Sequence, residues 1–197
     1  MAKSDIDVLI KLIAKLPTLG TRSARRIVLH LLKDRDMNLK PLIEAMQNLD
    51  GHVKTCQICG NFDTADICAI CADQKRDSKT VCVVQDVSDL WAMERAGFYK
   101  GKYHVLGGVL SAIDGVLPQD LNFQPLMNRM KSEAVNEVIL ALPATVEGQI
   151  TTQYLLNHLK PFGVKLSTLA LGLPIGAELD YMDDGTIEMA LQSRKIL

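Results

Sequence analysis

Four of the five cysteines fall within sixteen residues, Cys56 with Cys59 and Cys68 with Cys71, as two C-x2-C pairs separated by eight residues. A two-residue spacer lets both thiolates of a pair turn toward one ion. Two pairs complete a closed tetrahedral shell of four sulfurs, which Zn2+ favours. The alternatives for such an array are a redox-active pair or an iron–sulfur centre. Protein fills all four positions and leaves none for water, so the expectation is one structural zinc ion per chain and not a catalytic one. Residues 56–71 are too short and polar to build a core, and their folding is expected to depend on the metal. Cys82 stands apart among Val81, Val83 and Val84 and reads as a buried, inert thiol.

Lys3, Asp5 and Asp7 interrupt the apolar stretch that a secretory signal needs, so a cytoplasmic location is expected. In that reducing environment clustered cysteines bind metal and do not form disulfides. No uncharged apolar run reaches the roughly 18 residues of a spanning helix, so no membrane partner is expected. A hydrophobic content of 48% excludes a disordered tail. The formal net charge of -1 conceals a division. Residues 1–54 carry ten Lys/Arg against six Asp/Glu, while residues 55–197 carry twelve against seventeen, so a basic head precedes an acidic body.

Within the head, Ile6, Leu9, Ile10, Ile13 and Leu16 recur at helical spacing and predict an amphipathic helix over 4–16. It stops at Leu16-Pro17-Thr18-Leu19-Gly20. A second helix, with Thr21 as its N-cap, turns Ala24, Ile27, Val28, Leu31 and Leu32 inward. A third runs from about 39 to 49 and ends at Asp50-Gly51. Arg22, Arg25 and Arg26 occupy the first two turns of the second helix. Free N–H groups at a helix start, with guanidinium groups beside them, suit phosphate, and such contacts ignore base sequence. Lys11, Lys15 and Lys33 are further candidates for DNA contact. On the residues alone, an ordinary hairpin with a solvated basic face competes with this reading.

From Thr80 the pattern changes. The runs 80–84, 103–106, 138–141 and 166–169 are β-prone and mostly apolar, with helical patterns at about 88–97, 123–133 and 147–160 between them. Such alternation predicts an α/β domain with a mostly parallel sheet covered on both faces. The tail from Gly172, with a short helix over about 186–194, is read as a hairpin-like extension or a latch onto another subunit.

The order of these parts carries a resemblance. The hairpin is similar to a helix-hairpin-helix motif, whose turn usually reads Gly-hydrophobic-Gly; here Thr18-Leu19-Gly20 lacks the first glycine. The α/β segment contains Tyr103-His-Val-Leu-Gly-Gly-Val-Leu-Ser111 and Thr145-Val-Glu-Gly148, and the tail reads Gly172-Leu-Pro-Ile-Gly-Ala-Glu-Leu-Asp-Tyr181. Hairpin, four-cysteine array, α/β domain and tail together resemble the RecR family of bacterial recombination mediators along essentially the whole chain. The resemblance implies a helix-hairpin-helix region over 1–54, a C4 zinc finger over 55–78, a Toprim-type α/β domain over 79–171 and a Walker-B-like oligomerisation segment over 172–197. It also implies a homo-oligomer, dimer or tetrameric ring, that binds duplex DNA, gapped DNA or single-strand/duplex junctions at the nucleoid. With RecO, and in many bacteria RecF, it would load RecA onto gapped DNA coated by single-strand-binding protein.

Ligands of open parallel sheets gather beyond the carboxyl ends of the strands. Gln85, Asp86, Asp89, Gly107, Gly108 and Thr145 to Gly148 fall there. A Toprim enzyme is expected to carry a glutamate after its first strand and an Asp-x-Asp pair after its third, holding Mg2+ for phosphoryl transfer. This chain has Gln85, which cannot ionise, and Ala141-Leu-Pro-Ala-Thr-Val-Glu147 contains no Asp-x-Asp. Asp86 would substitute for the glutamate only if the strand has ended, because one step along a strand turns the side chain to the other face. The preferred expectation is a non-enzymatic protein in which Asp86, Asp89 and Glu147 form an acidic surface for a basic partner, RecO by resemblance. The alternative is a metal-dependent Toprim enzyme acting on DNA strands. Glu178, Asp180, Asp183 and Asp184 of the tail stand without any G-x-x-x-x-G-K-[ST] loop, so ATP hydrolysis is not expected.

Overall fold

The computed structural model describes residues 4–170, 172–174 and 176–194. Lys3, the expected domain boundary at Leu171 and Ile175 of the tail motif lie outside the described residues. The chain divides into two compact units, Met1–Val53 and Lys54–Leu197.

The first unit is helical, with α1 over Asp5–Ile13, α2 over Thr21–Lys33 and α3 over Lys40–His52. Ser4 caps α1 by accepting from the Ile6 N–H, and Asp5 and Asp7 complement its positive end. Gly20, not Thr21, is the N-cap of α2: its backbone is extended, and its carbonyl accepts the first helical bond, from Ala24, at 2.9 Å. A five-residue π-helical turn, Arg35–Leu39, joins α2 to α3. α3 runs through Gly51 to His52, three residues beyond the expected Leu49, with the His52 ring bonded to the Asn48 carbonyl at 2.7 Å. Only Ala24, Val28 and Leu31 of this unit are buried among the described residues.

The second unit begins with a two-stranded antiparallel ribbon, β1 (Lys54–Thr55) and β2 (Phe62–Asp63), and a one-turn helix α4 (Ala69–Ala72). Then follow β3 (Asp77–Val84), α5 (Val87–Ala96), β4 (Gly101–Val105), α6 (Phe123–Ser132), β5 (Glu137–Ala141), α7 (Val146–Leu159) and β6 (Lys165–Thr168). The four long strands form one parallel sheet in the order β4-β3-β5-β6. Alternation along β3 explains the two-sided cover. Val81 and Val83 face Leu126 and Met130 of α6 and Leu155 and Leu159 of α7, while Cys82 and Val84 face Val87 and Leu90 of α5. Cys82 is thus buried, and burial pushes its thiol up to about 12. The tail holds a short turn, Leu179–Tyr181, and α8, Asp184–Gln192, and no strand among its described residues.

His104 is buried on β4 with Nε2 2.8 Å from the Asn122 carbonyl and no partner for Nδ1. A second ring proton would have no acceptor. Burial pulls its pKa down from 6.5 to about 4, against the opposing Asn122 bond and with a smaller contribution from Arg129. Because the folded value is depressed, the unfolded chain binds the proton more readily between the two values. The stability this contributes is fully present above pH 6.5 and is lost as the pH falls toward 4. The loss should be about 3 kcal/mol. Urea unfolding at stepped pH should show that slope in the native chain. His104→Gln, whose amide can still donate to Asn122 but cannot charge, should lack it.

Candidate functional site

Cys56 and Cys59 lie on the turn between β1 and β2, where the Cys56 N–H donates to Asn61 O (2.7 Å) and the Gly60 N–H to Cys56 O (2.9 Å). Cys68 caps α4, and its Sγ accepts from the Cys71 N–H at 3.4 Å. The four ligand atoms lie within 4.8 Å of one another, and the Cys59 and Cys68 sulfurs are 3.6 Å apart. A tetrahedron of sulfurs around Zn2+ with bonds of about 2.3 Å has edges of about 3.8 Å, so the four residues fit the ion. None is disulfide-bonded. Cys56, Cys59 and Cys68 are buried and Cys71 partly so. Burial raises the Cys56 thiol, but backbone N–H groups of Cys68, Cys59 and Ile58 outweigh it and bring the pKa down to about 7. The Cys71 side chain and burial push Cys59 up. Crowded thiolates repel, and a central dication is what lets all four ionise. This is a structural zinc centre, with every ligand supplied by the chain.

The centre is tied to the α/β sheet. The Val105 N–H donates to the Cys59 carbonyl at 2.7 Å, and Trp91 Nε1 on α5 donates to Asn61 Oδ1 at 3.0 Å. Lys102 of β4 donates to three carbonyls at and beyond α4. Sequence reasoning missed Asn61, Trp91 and Lys102. Lys102 stands just before the expected run 103–106, so nothing local in the sequence marked it as part of a buried strand.

On α2, a rotation of about 100° per residue places Arg22, Arg25, Arg26 and Lys33 on one stripe, opposite Ala24, Val28 and Leu31. All four are exposed, and none makes an ion pair among the described residues. Gly20 offers no side-chain cap, and the first turn holds no acid, so its N–H groups stay open. Lys11, on α1, and Lys15, in the turn after it, are exposed but outside this stripe; Lys11 points away from Leu9, Ile10 and Ile13. Thr18 adopts φ +64°, the left-handed conformation glycine takes without cost. The turn therefore keeps a glycine-like backbone without the glycine.

At the carboxyl ends of the strands the acidic candidates separate. Asp86 and Asp89 form a reciprocal capping box on α5, in which the Asp86 N–H donates to Asp89 Oδ2 at 3.1 Å. Glu147 instead lines a cavity of about 590 Å³ with Gln85, Gly107, Gly108, Asp114 and Asp120. Gly107 and Gly108, both at positive φ, bring their N–H groups to the Gln85 carbonyl at 2.9 and 3.1 Å. At Gly148 a Cβ would stand 2.0 Å from the Pro143 carbonyl oxygen, so only glycine lets α7 start there. In the tail, Asp183 caps α8 through the Thr186 N–H at 3.0 Å, and the Thr186 hydroxyl and N–H hold its carboxyl below the usual range. Asp184 opens that helix, while Glu178 precedes the short turn Leu179–Tyr181 and Asp180 lies within it. An apolar cleft of about 730 Å³ lies between α7 and α8, lined in part by Leu142, Val146, Ile150, Leu169 and Met189.

The chain matches four family descriptions in succession: the RecR helix-hairpin-helix over residues 6–49, the RecR zinc finger domain of four cysteines over 53–73, the Toprim domain over 79–170 and the RecR C-terminal segment over 172–195. Among curated relatives, each named recombination protein RecR, the one from Paramagnetospirillum magneticum is 53% identical over 196 residues, covering 100% of both chains. That of Ruegeria sp. (strain TM1040) is 56% identical over 192 residues, 98% of this chain and 96% of the relative. That of Caulobacter sp. (strain K31) is 54% identical over 194 residues, 98% and 97% of the two. With its helical hairpin, tetrathiolate zinc centre and parallel sheet in that order, the chain belongs to the RecR family.

Proposed function

We propose that the chain is a non-enzymatic recombination mediator in DNA repair, holding DNA without sequence preference as a homo-oligomeric ring and, with RecO, and in many bacteria RecF, promoting RecA loading onto gapped DNA coated by single-strand-binding protein. The observation that carries the DNA part is the one-sided basic stripe of α2 beside an open helix start. Phosphates are the ligand such a face suits, because it offers charge and N–H groups and no device for reading base edges. Relatives named for recombination support the pathway.

Two surfaces support self-association. Leu42, Ile43, Met46 and Leu49 of α3 repeat at helical spacing, yet all four are exposed. Val146 and Ile150 open the α7–α8 cleft to solvent. Apolar surface left bare on a single chain marks contacts between chains. No helix among the described residues is long and apolar enough to cross a membrane, so these faces have no bilayer-spanning explanation.

Glu147 is proposed as the acidic contact for RecO, with Asp114 and Asp120 beside it and with Asp86 and Asp89 on the adjacent helix start. Glu147→Lys should abolish RecO co-elution while leaving the thermal midpoint within a few degrees, because its carboxylate bonds to nothing among the described residues. Unchanged RecO binding would remove Glu147 from the interface. The loading role itself is tested by reconstitution with RecO, RecA, single-strand-binding protein and gapped DNA. RecA filament formation must depend on the chain. The alternative, a metal-dependent Toprim enzyme, has one observation in its favour: the acidic cavity sits at the carboxyl ends of β3 and β5. Cleavage of supercoiled or primed DNA with Mg2+ or Mn2+, lost in Glu147→Gln, would establish it. Gln85 in place of an acid argues for no cleavage.

A further inference from the structure

Lys102 belongs to the edge strand β4, yet it is 7% exposed and its ammonium donates to the carbonyls of Ile70 (2.9 Å), Cys71 (3.0 Å) and Asp73 (2.7 Å). It makes no ion pair among the described residues. Three carbonyl dipoles solvate a buried ammonium but do not neutralise it, and a buried charge without a counter-charge is costly. The counter-charge is close at hand. One Zn2+ with four thiolates carries net negative charge, and Cys71, one of the four ligands, supplies a carbonyl that Lys102 grips.

We propose that Lys102 is a positioning residue of the zinc centre and the counter-ion of its thiolates. The connection runs through a single peptide group. The Ile70 carbonyl accepts from Lys102, and the Cys71 N–H of the same amide donates to Cys68 Sγ at 3.4 Å. An ammonium on the carbonyl polarises the amide and strengthens its N–H···S bond, which favours the thiolate. From the same strand, Val105 holds the first cysteine pair through the Cys59 carbonyl. The sheet edge thus grips both C-x2-C pairs, the first through Val105 and the second through Lys102, and metal retention becomes a property of the finger and the sheet together.

The test uses the full, zinc-loaded chain challenged with 4-(2-pyridylazo)resorcinol, and the cobalt-substituted chain read by absorption. Lys102→Gln should weaken zinc binding about 10- to 100-fold, the usual effect of removing a residue that supports a metal ligand. It should also move the sulfur-to-cobalt charge-transfer bands to lower energy, because loss of a neighbouring positive charge raises the sulfur donor orbitals. Lys102→Arg, which keeps the charge, should hold both the zinc and the band position near the native values. A folded Gln variant with native zinc release and native bands overturns the proposal. So do Gln and Arg variants that behave alike, since charge is then not the agent. If the Gln variant fails to fold in excess zinc while the Arg variant folds and keeps the metal, the proposal stands; failure of both overturns it.

Discussion

Cys59→Ser is expected to empty the metal site and release residues 54–73 from the edge of the α/β sheet. Cys59 is fully buried, and serine offers a harder, shorter donor whose hydroxyl does not ionise near neutral pH, so the shell loses both charge and reach. Structural zinc sites of this type supply about 10 to 16 kcal/mol of binding free energy, and in so short a segment that is folding free energy. The buried groups of the finger are almost entirely its cysteines, with Ile58 and Ile70 packed around them, so no apolar core would take over. The effect should reach the α5 face of the sheet, where Ile70 packs and Trp91 loses Asn61, and stop before the opposite face. The cluster formed by β3, β5, α6 and α7 contains no residue of the finger. Metal analysis should fall from one zinc per chain toward none. Amide exchange should rise across 54–73 and at Val105, whose N–H loses the Cys59 carbonyl, while Val138 and Leu140 stay protected. A Ser variant that kept full zinc would mean that the shell is not the four-sulfur one.

Much of this architecture could be read from residues because it is written in spacing. The two C-x2-C pairs converge as their spacers require, and the apolar runs became β3 to β6 of a parallel sheet within a few residues of their expected bounds. What spacing could not supply was the use of individual polar groups. Asp86 and Asp89 look like a pair of free acids in the sequence, three residues apart, but the same spacing is that of a capping box, and the chain uses them so. Glu147 meets Gln85, Asp114 and Asp120 only because three strand ends converge in space. Lys102 is one more surface lysine until β4 is seen to be the edge against which α4 docks. Such partnerships are made by long-range contacts, which local pattern does not encode.

Charge division between head and body survives in three dimensions as two different kinds of site. The acids of the body are mostly engaged: Glu94 pairs with Arg76 and accepts from the Tyr103 hydroxyl, and Glu137 bonds Lys165 and Ser167. The basic residues of α2 are not engaged with any carboxylate among the described residues. A surface that leaves four cations unpaired on one stripe keeps them available to an external anion.

Replacing Arg22, Arg25 and Arg26 together by alanine is accordingly expected to weaken DNA binding by about a hundredfold or more at 0.1 M salt, with no change in sequence preference. Each phosphate neutralised contributes about 0.9 to the slope of log affinity against log salt, so removing three contacts should flatten that slope by about 3 for each engaged hairpin. The flattening is the sharper observable, because a variant that merely disturbed the helix would lose affinity without a defined loss of slope. Alanine is also the best helix former, and the three side chains are exposed, so α2 itself should persist and its circular dichroism should not fall. The stripe makes a further distinction. Lys33 shares it, whereas Lys11 and Lys15 lie outside it, so Lys33→Ala should flatten the slope by nearly one contact and the Lys11/Lys15 double variant by less. If the triple variant bound DNA with native affinity and native salt slope, the phosphate site would have to lie elsewhere on the chain. Equal losses from the α1 lysines would instead mean that DNA approaches the hairpin across both helices, with the α2 stripe as only one side of its path.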